Sequence, residues 1–145
     1  MSRIINPNSA GKERTRLTRA LALAVRELSR TNPSANTGQL NEARDLTAFI
    51  TFALEAIAET IEPSVAAWEK RNYWVKADKF RMEWAWAGKL AKEMRTATLA
   101  EDWERIAPIA MQVAMKVQKI KISDKHRMGR PWEGSWGKMS RVVDQ

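Results

Sequence analysis

The sequence predicts an all-α fold, a four-helix bundle-like single domain followed by an irregular basic C-terminal tail. Apolar residues recur at helical spacing in four long segments, and only the short stretch 119–122 alternates as a strand would. The chain has 145 residues, of which 44% are hydrophobic and 29% charged, as expected for one globular domain with a buried core. We therefore expect the bundle over residues 1–122 and an extended tail over residues 123–145, packed on the bundle or projecting from it.

The first helix is predicted over about residues 10–30. Its apolar residues between Leu17 and Leu28 fall on one side at i, i+3 and i+4 spacing. The opposite side carries five cations within about 80° of one another, interrupted only by Leu23. This basic stripe consists of Lys12, Arg16, Arg19, Arg26 and Arg30. Few acids of the same helix offset it, so we expect either an anionic partner or a solvated helix face.

Two further helices are predicted over about residues 40–61 and 63–95, the later one with a break near Asn72. The earlier helix is amphipathic, with acids opposite its apolar face. These acids are Glu55, Glu59 and Glu62. The later helix has two apolar stripes, so we expect it to contact two neighbours and to lie at the centre of the bundle. Trp74 falls outside both stripes and is a candidate anchor for a partner.

The fourth helix is predicted over about residues 99–122. The spacing of Thr98 and Glu101 is typical of a capping box, in which a hydroxyl and a carboxylate bind free backbone N–H groups at a helix start. Met111 and Met115 lie away from the apolar face of this helix. Exposed methionines of this kind indicate a contact surface.

The net charge of +8 is concentrated at the two ends of the chain. Residues 1–30 carry +5 and residues 116–145 carry +5, whereas residues 31–115 carry −2. A local concentration of positive charge favours a polyanionic partner more than the same charge spread evenly would.

The tail combines cations with tryptophans, a pattern that suits phosphates and stacked bases. The candidate cations are Lys125, Arg127, Arg130, Lys138 and Arg141, and the candidate stacking residues are Trp132 and Trp136. The alternative is that the two indoles bury themselves and fix the tail to the bundle. A tail fixed in this way could still present its cations outward.

Catalysis, cofactors and metals find no support in the sequence. The chain contains no cysteine and a single histidine, His126, which removes thiol nucleophiles, cysteine metal sites and paired Glu-x-x-His ligands. No phosphate-binding loop motif is present. No apolar run approaches the roughly 20 residues of a membrane span, and the start has no secretory pattern, so we expect a cytoplasmic protein without membrane association.

Two functional hypotheses lead, and a third, weaker one is that the first helix lies on an anionic membrane surface, although its apolar face lacks the aromatic residues that such helices often use. The first is a non-enzymatic protein that binds the phosphate backbone of RNA or DNA through the basic stripe and the tail, as a small subunit of a nucleoprotein complex. The second is a structural or adaptor subunit, either a homo-oligomer or part of a larger complex. In that case the basic stripe would meet Glu55, Glu59 and Glu62 of another copy or an acidic partner, with Met111, Met115 and Trp74 as apolar contacts.

Overall fold

The computed structural model describes residues 7–143 and places six α-helices in them. These are α1 (Pro7–Ser29), α2 (Thr37–Glu59), α3 (Ile61–Lys70), α4 (Trp74–Leu99), α5 (Trp103–Lys116) and α6 (Ser135–Val143). This part of the chain contains no strand, and the predicted all-α, bundle-like fold is confirmed. Residues 1–6 and 144–145, which belong to the predicted bundle and tail, lie outside the described residues.

The predicted break near Asn72 separates α3 from α4. Asn72 adopts a left-handed backbone conformation, with φ 64°. Its N–H donates to the Glu69 carbonyl at 3.0 Å, and the N–H of Tyr73 donates to the Trp68 carbonyl at 2.9 Å. This pair of bonds is the Schellman arrangement, which satisfies the last carbonyls of a helix. The chain therefore reverses within a few residues, and α4 packs against α3.

The predicted capping box is wrong. Thr98 lies inside α4, and Glu101 is a left-handed residue with φ 48° in the turn that follows it. The helix α5 is capped instead by Asp102, whose side chain accepts the N–H of Arg105 at 3.3 Å. The Glu101 carboxylate is bound to Arg44 of α2. A backbone turn thus separates the two residues that would have formed the box.

The central helix is α2, not the predicted third helix. It packs against α1, α3, α4 and α6, and its core residues Leu46, Ile50, Leu54 and Ile57 are fully buried. The two apolar stripes of the predicted third helix have a different explanation. The first turns of α4 pack with α3 in a small separate core, while its second half joins the main core.

The C-terminal segment is not entirely extended, because it ends in α6. Trp132 precedes α6, is 2% exposed, and donates its Nε1–H to Glu42 at 2.8 Å. The carboxylate of Asp45 accepts the N–H groups of Gly134 at 3.3 Å and Trp136 at 2.9 Å, and so caps the start of α6. Two acids of α2 therefore hold the segment on the bundle, as in the alternative in which its indoles are buried.

Candidate nucleic-acid interface

The basic stripe of α1 does not form one continuous surface. Leu23, in the middle of the stripe, is fully buried. Lys12, Arg16 and Arg19 on its N-terminal side are exposed, and Arg16 donates to Glu13 at 3.1 Å. This half of the predicted stripe is open to a large partner.

The other half of the stripe binds the C-terminal segment of the same chain. Arg26 donates to the carbonyl of Ile122 at 2.7 Å and lies 3.5 Å from the carboxylate of Asp124. Arg30 lies 3.4 Å from Glu27 and 3.9 Å from Asp124. The side chain of Arg26 is 22% exposed and fastens the tail to α1, so little of it is accessible to a phosphate. The stripe and the tail do meet here, but acids offset much of their charge.

The predicted tail residues divide in the same way. Arg130 donates to Glu133 at 2.8 Å and to Glu42 at 2.6 Å, and the hydrogen bond that Glu133 accepts is the main reason that the pKa of Arg130 is raised. Trp132 is buried and Trp136 is partly buried beside Arg44, so neither presents a free face like that of an exposed indole. Arg130 is itself exposed, and the exposed tail cations that form no ion pair among the described residues are Lys125, Arg127, Lys138 and Arg141.

The acidic face of the adaptor hypothesis is also largely occupied within the chain. Arg95 donates two hydrogen bonds of 2.8 Å to Glu55, and Arg81 donates bonds of 3.0 and 3.1 Å to Glu62. The bond from Arg81 lowers the pKa of Glu62, which keeps this carboxylate charged and paired. Only Glu59 of the three predicted acids remains exposed without an ion pair among the described residues.

The most distinctive surface is an aromatic cleft of about 930 Å³ at the corner between α3 and α4. Tyr73 and Trp74 stand at its edge and are 53% and 55% exposed. The rings of Trp68 and Phe80 form its wall, edge to face with their centroids 4.9 Å apart. The left-handed turn at Asn72 creates this arrangement, since it places the end of α3 beside the start of α4.

Two exposed cations, Lys76 and Lys79, line the aromatic cleft, and two more, Lys70 and Arg71, are exposed directly before the turn at Asn72. Among residues 7–143 none of the four forms an ion pair. The ammonium group of Lys76 lies 4.9 Å from the ring centre of Trp68, a cation–π contact that leaves the charge at the cleft. The first turn of α4 contains no acid and has no side-chain cap, so the positive end of its dipole also faces this region.

Arg81 binds the acids near the aromatic cleft and so offsets their negative charge. Its guanidinium binds Glu62 and Glu69, both at 3.0 Å, and lies 3.5 Å from Asp78. The hydrogen bonds that Arg81 donates to these two glutamates raise its pKa. One acid, Glu83, lines the cleft. The local balance of accessible charge at this corner is therefore positive, although residues 31–115 as a whole are slightly acidic.

Arg14 closes the inner side of the same aromatic cluster. It donates to Thr60 and Ser64 at 3.2 Å, and its guanidinium lies 4.8 Å from the ring centre of Phe80. Burial lowers its pKa, and Glu83 opposes this shift. Arg14 lies about 150° around α1 from the exposed part of the basic stripe, which consequently faces away from the cleft.

Sequence reasoning identified Trp74 but missed the cations beside it. Their signal was available in residues 70–79, which contain four cations, one acid and two aromatics. Averaging charge over the whole middle segment concealed it. The contribution of Trp68 and Phe80 could not be read from the sequence, because it depends on the packing of two helices.

No known protein family, curated protein or solved structure matches the chain. None of the helices within residues 7–143 is long and apolar enough to cross a membrane. The same residues contain no group of three or more acidic or histidine side chains placed to hold a metal ion. The geometry of the aromatic cleft is therefore the main guide to function.

Proposed function

We propose that this protein is a non-enzymatic, cytoplasmic nucleic-acid-binding protein and that it binds single strands in the aromatic cleft. The observation that carries the proposal is the exposed pair Tyr73 and Trp74 beside an aromatic wall and a rim of unpaired cations. Unpaired bases offer flat faces that stack on aromatic rings, and their phosphates suit lysine and arginine. A regular duplex hides those faces, so single strands fit the cleft better.

The exposed cations elsewhere have a secondary role in this proposal. Those of the basic stripe and of the tail face other directions, and they attract phosphates over a distance without stacking bases. Contacts of this kind position a nucleic acid but read no sequence. Exchange of Arg16 and Arg19 for Glu is therefore expected to weaken binding at low salt, while Trp74 remains essential at any salt concentration.

The first experiment measures binding of a fluorescein-labelled single-stranded oligonucleotide by fluorescence anisotropy. Trp74→Ala is expected to weaken binding by about 5- to 150-fold, since stacking contributes about 1–3 kcal/mol per base. Trp74→Phe keeps an aromatic ring and should retain most of the affinity. Circular dichroism at the same temperature checks that each variant is folded.

The second experiment compares salt dependence. Each phosphate contact with a single strand contributes about 0.7 to the slope of log affinity against log salt, so Lys76→Ala with Lys79→Ala should reduce the slope by about 1.4. The matched control is Lys89→Ala with Lys92→Ala, an exposed pair of the same spacing farther along α4, which should leave the slope unchanged. Equal affinity for duplexes with no effect of Trp74→Ala would refute the proposal. So would binding to phosphatidylserine vesicles alone, which would indicate a membrane site.

A further inference from the structure

A second surface of the protein, on α5, has no partner within the described residues. Met111 and Met115 are 70% and 66% exposed, while Ile106, Ile109 and Val113 on the inner side of α5 are buried in the core. Apolar residues therefore extend around the helix well beyond the face that the bundle covers. Large exposed apolar side chains placed together in this way mark a contact surface.

An apolar groove of about 410 Å³ runs beside these methionines, between α5 and the end of α1. Ala107, Ala110 and Ala114 line it on the α5 side, and Val25 and Leu28 line it on the α1 side. A smaller groove of about 270 Å³ shares Val25 and Ala114 with it and continues towards Ile122. The molecule thus places two protruding apolar side chains next to a groove that could receive side chains of the same kind.

The charges of α5 favour one particular occupant. Glu104 is exposed in the first turn on the side of Met111 and Met115, about 100° around the helix from the exposed Arg105. Lys116 at the end of α5 and Lys119 in the turn after it are also exposed, and neither they nor Glu104 form an ion pair among the described residues. Two copies of α5 in antiparallel orientation would bring the acidic end of each beside the basic end of the other. A twofold axis between Met111 and Gln112 would bring Glu104 near Lys119 of the partner subunit, because Glu104 in α5 and Lys119 in the turn directly after it are the same number of residues from that axis.

We infer that α5 is a homodimer interface in which a second copy packs antiparallel, with Met111 and Met115 of each copy in the groove of the other. This inference is independent of the nucleic-acid proposal, since the aromatic cleft lies at the other end of α4 from α5. The 14 residues of α5 span about 21 Å, which is short for an interface of standard size. We therefore expect a dissociation constant in the micromolar range.

The test is sedimentation equilibrium of the full chain over a range of concentrations. A monomer–dimer equilibrium is expected, and Met111→Glu with Met115→Glu should raise its dissociation constant at least 10-fold. The matched control is Met82→Glu on α4, since Met82 is 71% exposed and lies outside the groove. A full chain that stays monomeric throughout, or an equal effect of the Met82→Glu control, would overturn the inference.

Charge reversal tests the antiparallel arrangement separately. Glu104→Lys and Lys119→Glu should each weaken the dimer, because each places like charges level across the interface. The double variant should restore association, since the opposite charges meet again with their places exchanged. If the double variant is as weak as the singles, the proposed register is wrong and the inference fails.

Discussion

Two separate tryptophan variants should distinguish residues that stabilise the fold from residues that serve the proposed binding of nucleic acid. Trp132 is buried and fastens the C-terminal segment, whereas Trp74 is exposed at the aromatic cleft. We expect Trp132→Ala to destabilise the protein strongly. Trp74→Ala should change the free energy of unfolding by no more than about 0.5 kcal/mol, as is usual at exposed positions.

The magnitude for Trp132 follows from its burial. An indole buries about 150–250 Å² of surface, which corresponds to about 4–6 kcal/mol at about 25 cal/mol per Å², and this is an upper bound. Measured losses for exchange of a buried aromatic residue for alanine are about 3–5 kcal/mol. Glu42 keeps its bond to Arg130, so the exchange leaves no unpaired carboxylate. We expect a loss of about 4 kcal/mol, or about 12 °C in Tm for a chain of this length.

The assay is urea denaturation followed by the helical circular dichroism signal, which does not depend on tryptophan fluorescence. Trp132→Phe provides an intermediate variant, because it keeps a buried aromatic ring but loses the bond from Nε1 to Glu42 and part of the buried volume of the indole. A loss below about 1 kcal/mol for Trp132→Ala, well under the usual range, would refute the conclusion that Trp132 holds the segment. Equal destabilisation by Trp74→Ala would refute the assignment of Trp74 to a free surface.

Three further predictions concern single positions. Asp45→Ala should cost about 1 kcal/mol and increase hydrogen exchange in α6 more than in the other helices, because the cap of α6 is lost. Thr98→Val should stabilise the protein by about 1 kcal/mol in urea denaturation, since the buried Thr98 hydroxyl has no hydrogen-bond partner among the described residues. Glu101→Gly should leave stability nearly unchanged in the same assay. Glycine at this position relieves the left-handed strain of Glu101, worth about 1 kcal/mol, and this gain offsets the loss of the ion pair with Arg44. Glu101→Ala loses the ion pair but keeps the strain.

The helices could be predicted from the sequence because apolar spacing depends on local geometry alone. The break near Asn72 was predictable for the same reason, since few residues adopt a left-handed turn as readily as asparagine. The absence of the capping box could not be predicted, because Glu101 adopts a left-handed conformation that glutamate does not favour. Its bond to Arg44 connects the turn after α4 with α2, which is far away in the sequence. Contacts between residues so far apart in the sequence cannot be predicted from the spacing of residue types.

The centre of the bundle was misplaced for a related reason. The tryptophan-rich pattern of α4 indicated two contact faces, but the pattern does not say which helix each face meets. The separate core that α4 forms with α3 accounts for one face. The helix α6 was missed because its docking depends on Glu42 and Asp45 of α2, about 90 residues earlier. Its own sequence does place Trp136, Met139 and Val143 at helical spacing, but a pattern of nine residues beside Gly134 and Gly137 is too short to predict a helix.

Net charge by segment proved a poor guide to the accessible positive surface. The two ends of the chain are strongly basic, yet several of their arginines bind acids or carbonyls of the same chain, including Arg14, Arg26 and Arg130. The middle segment is slightly acidic, but Arg81 engages three of its acids at once. The cations at residues 70–79 are consequently left unpaired beside exposed rings. Intramolecular pairing, more than composition, thus determines where positive charge stays accessible on this protein.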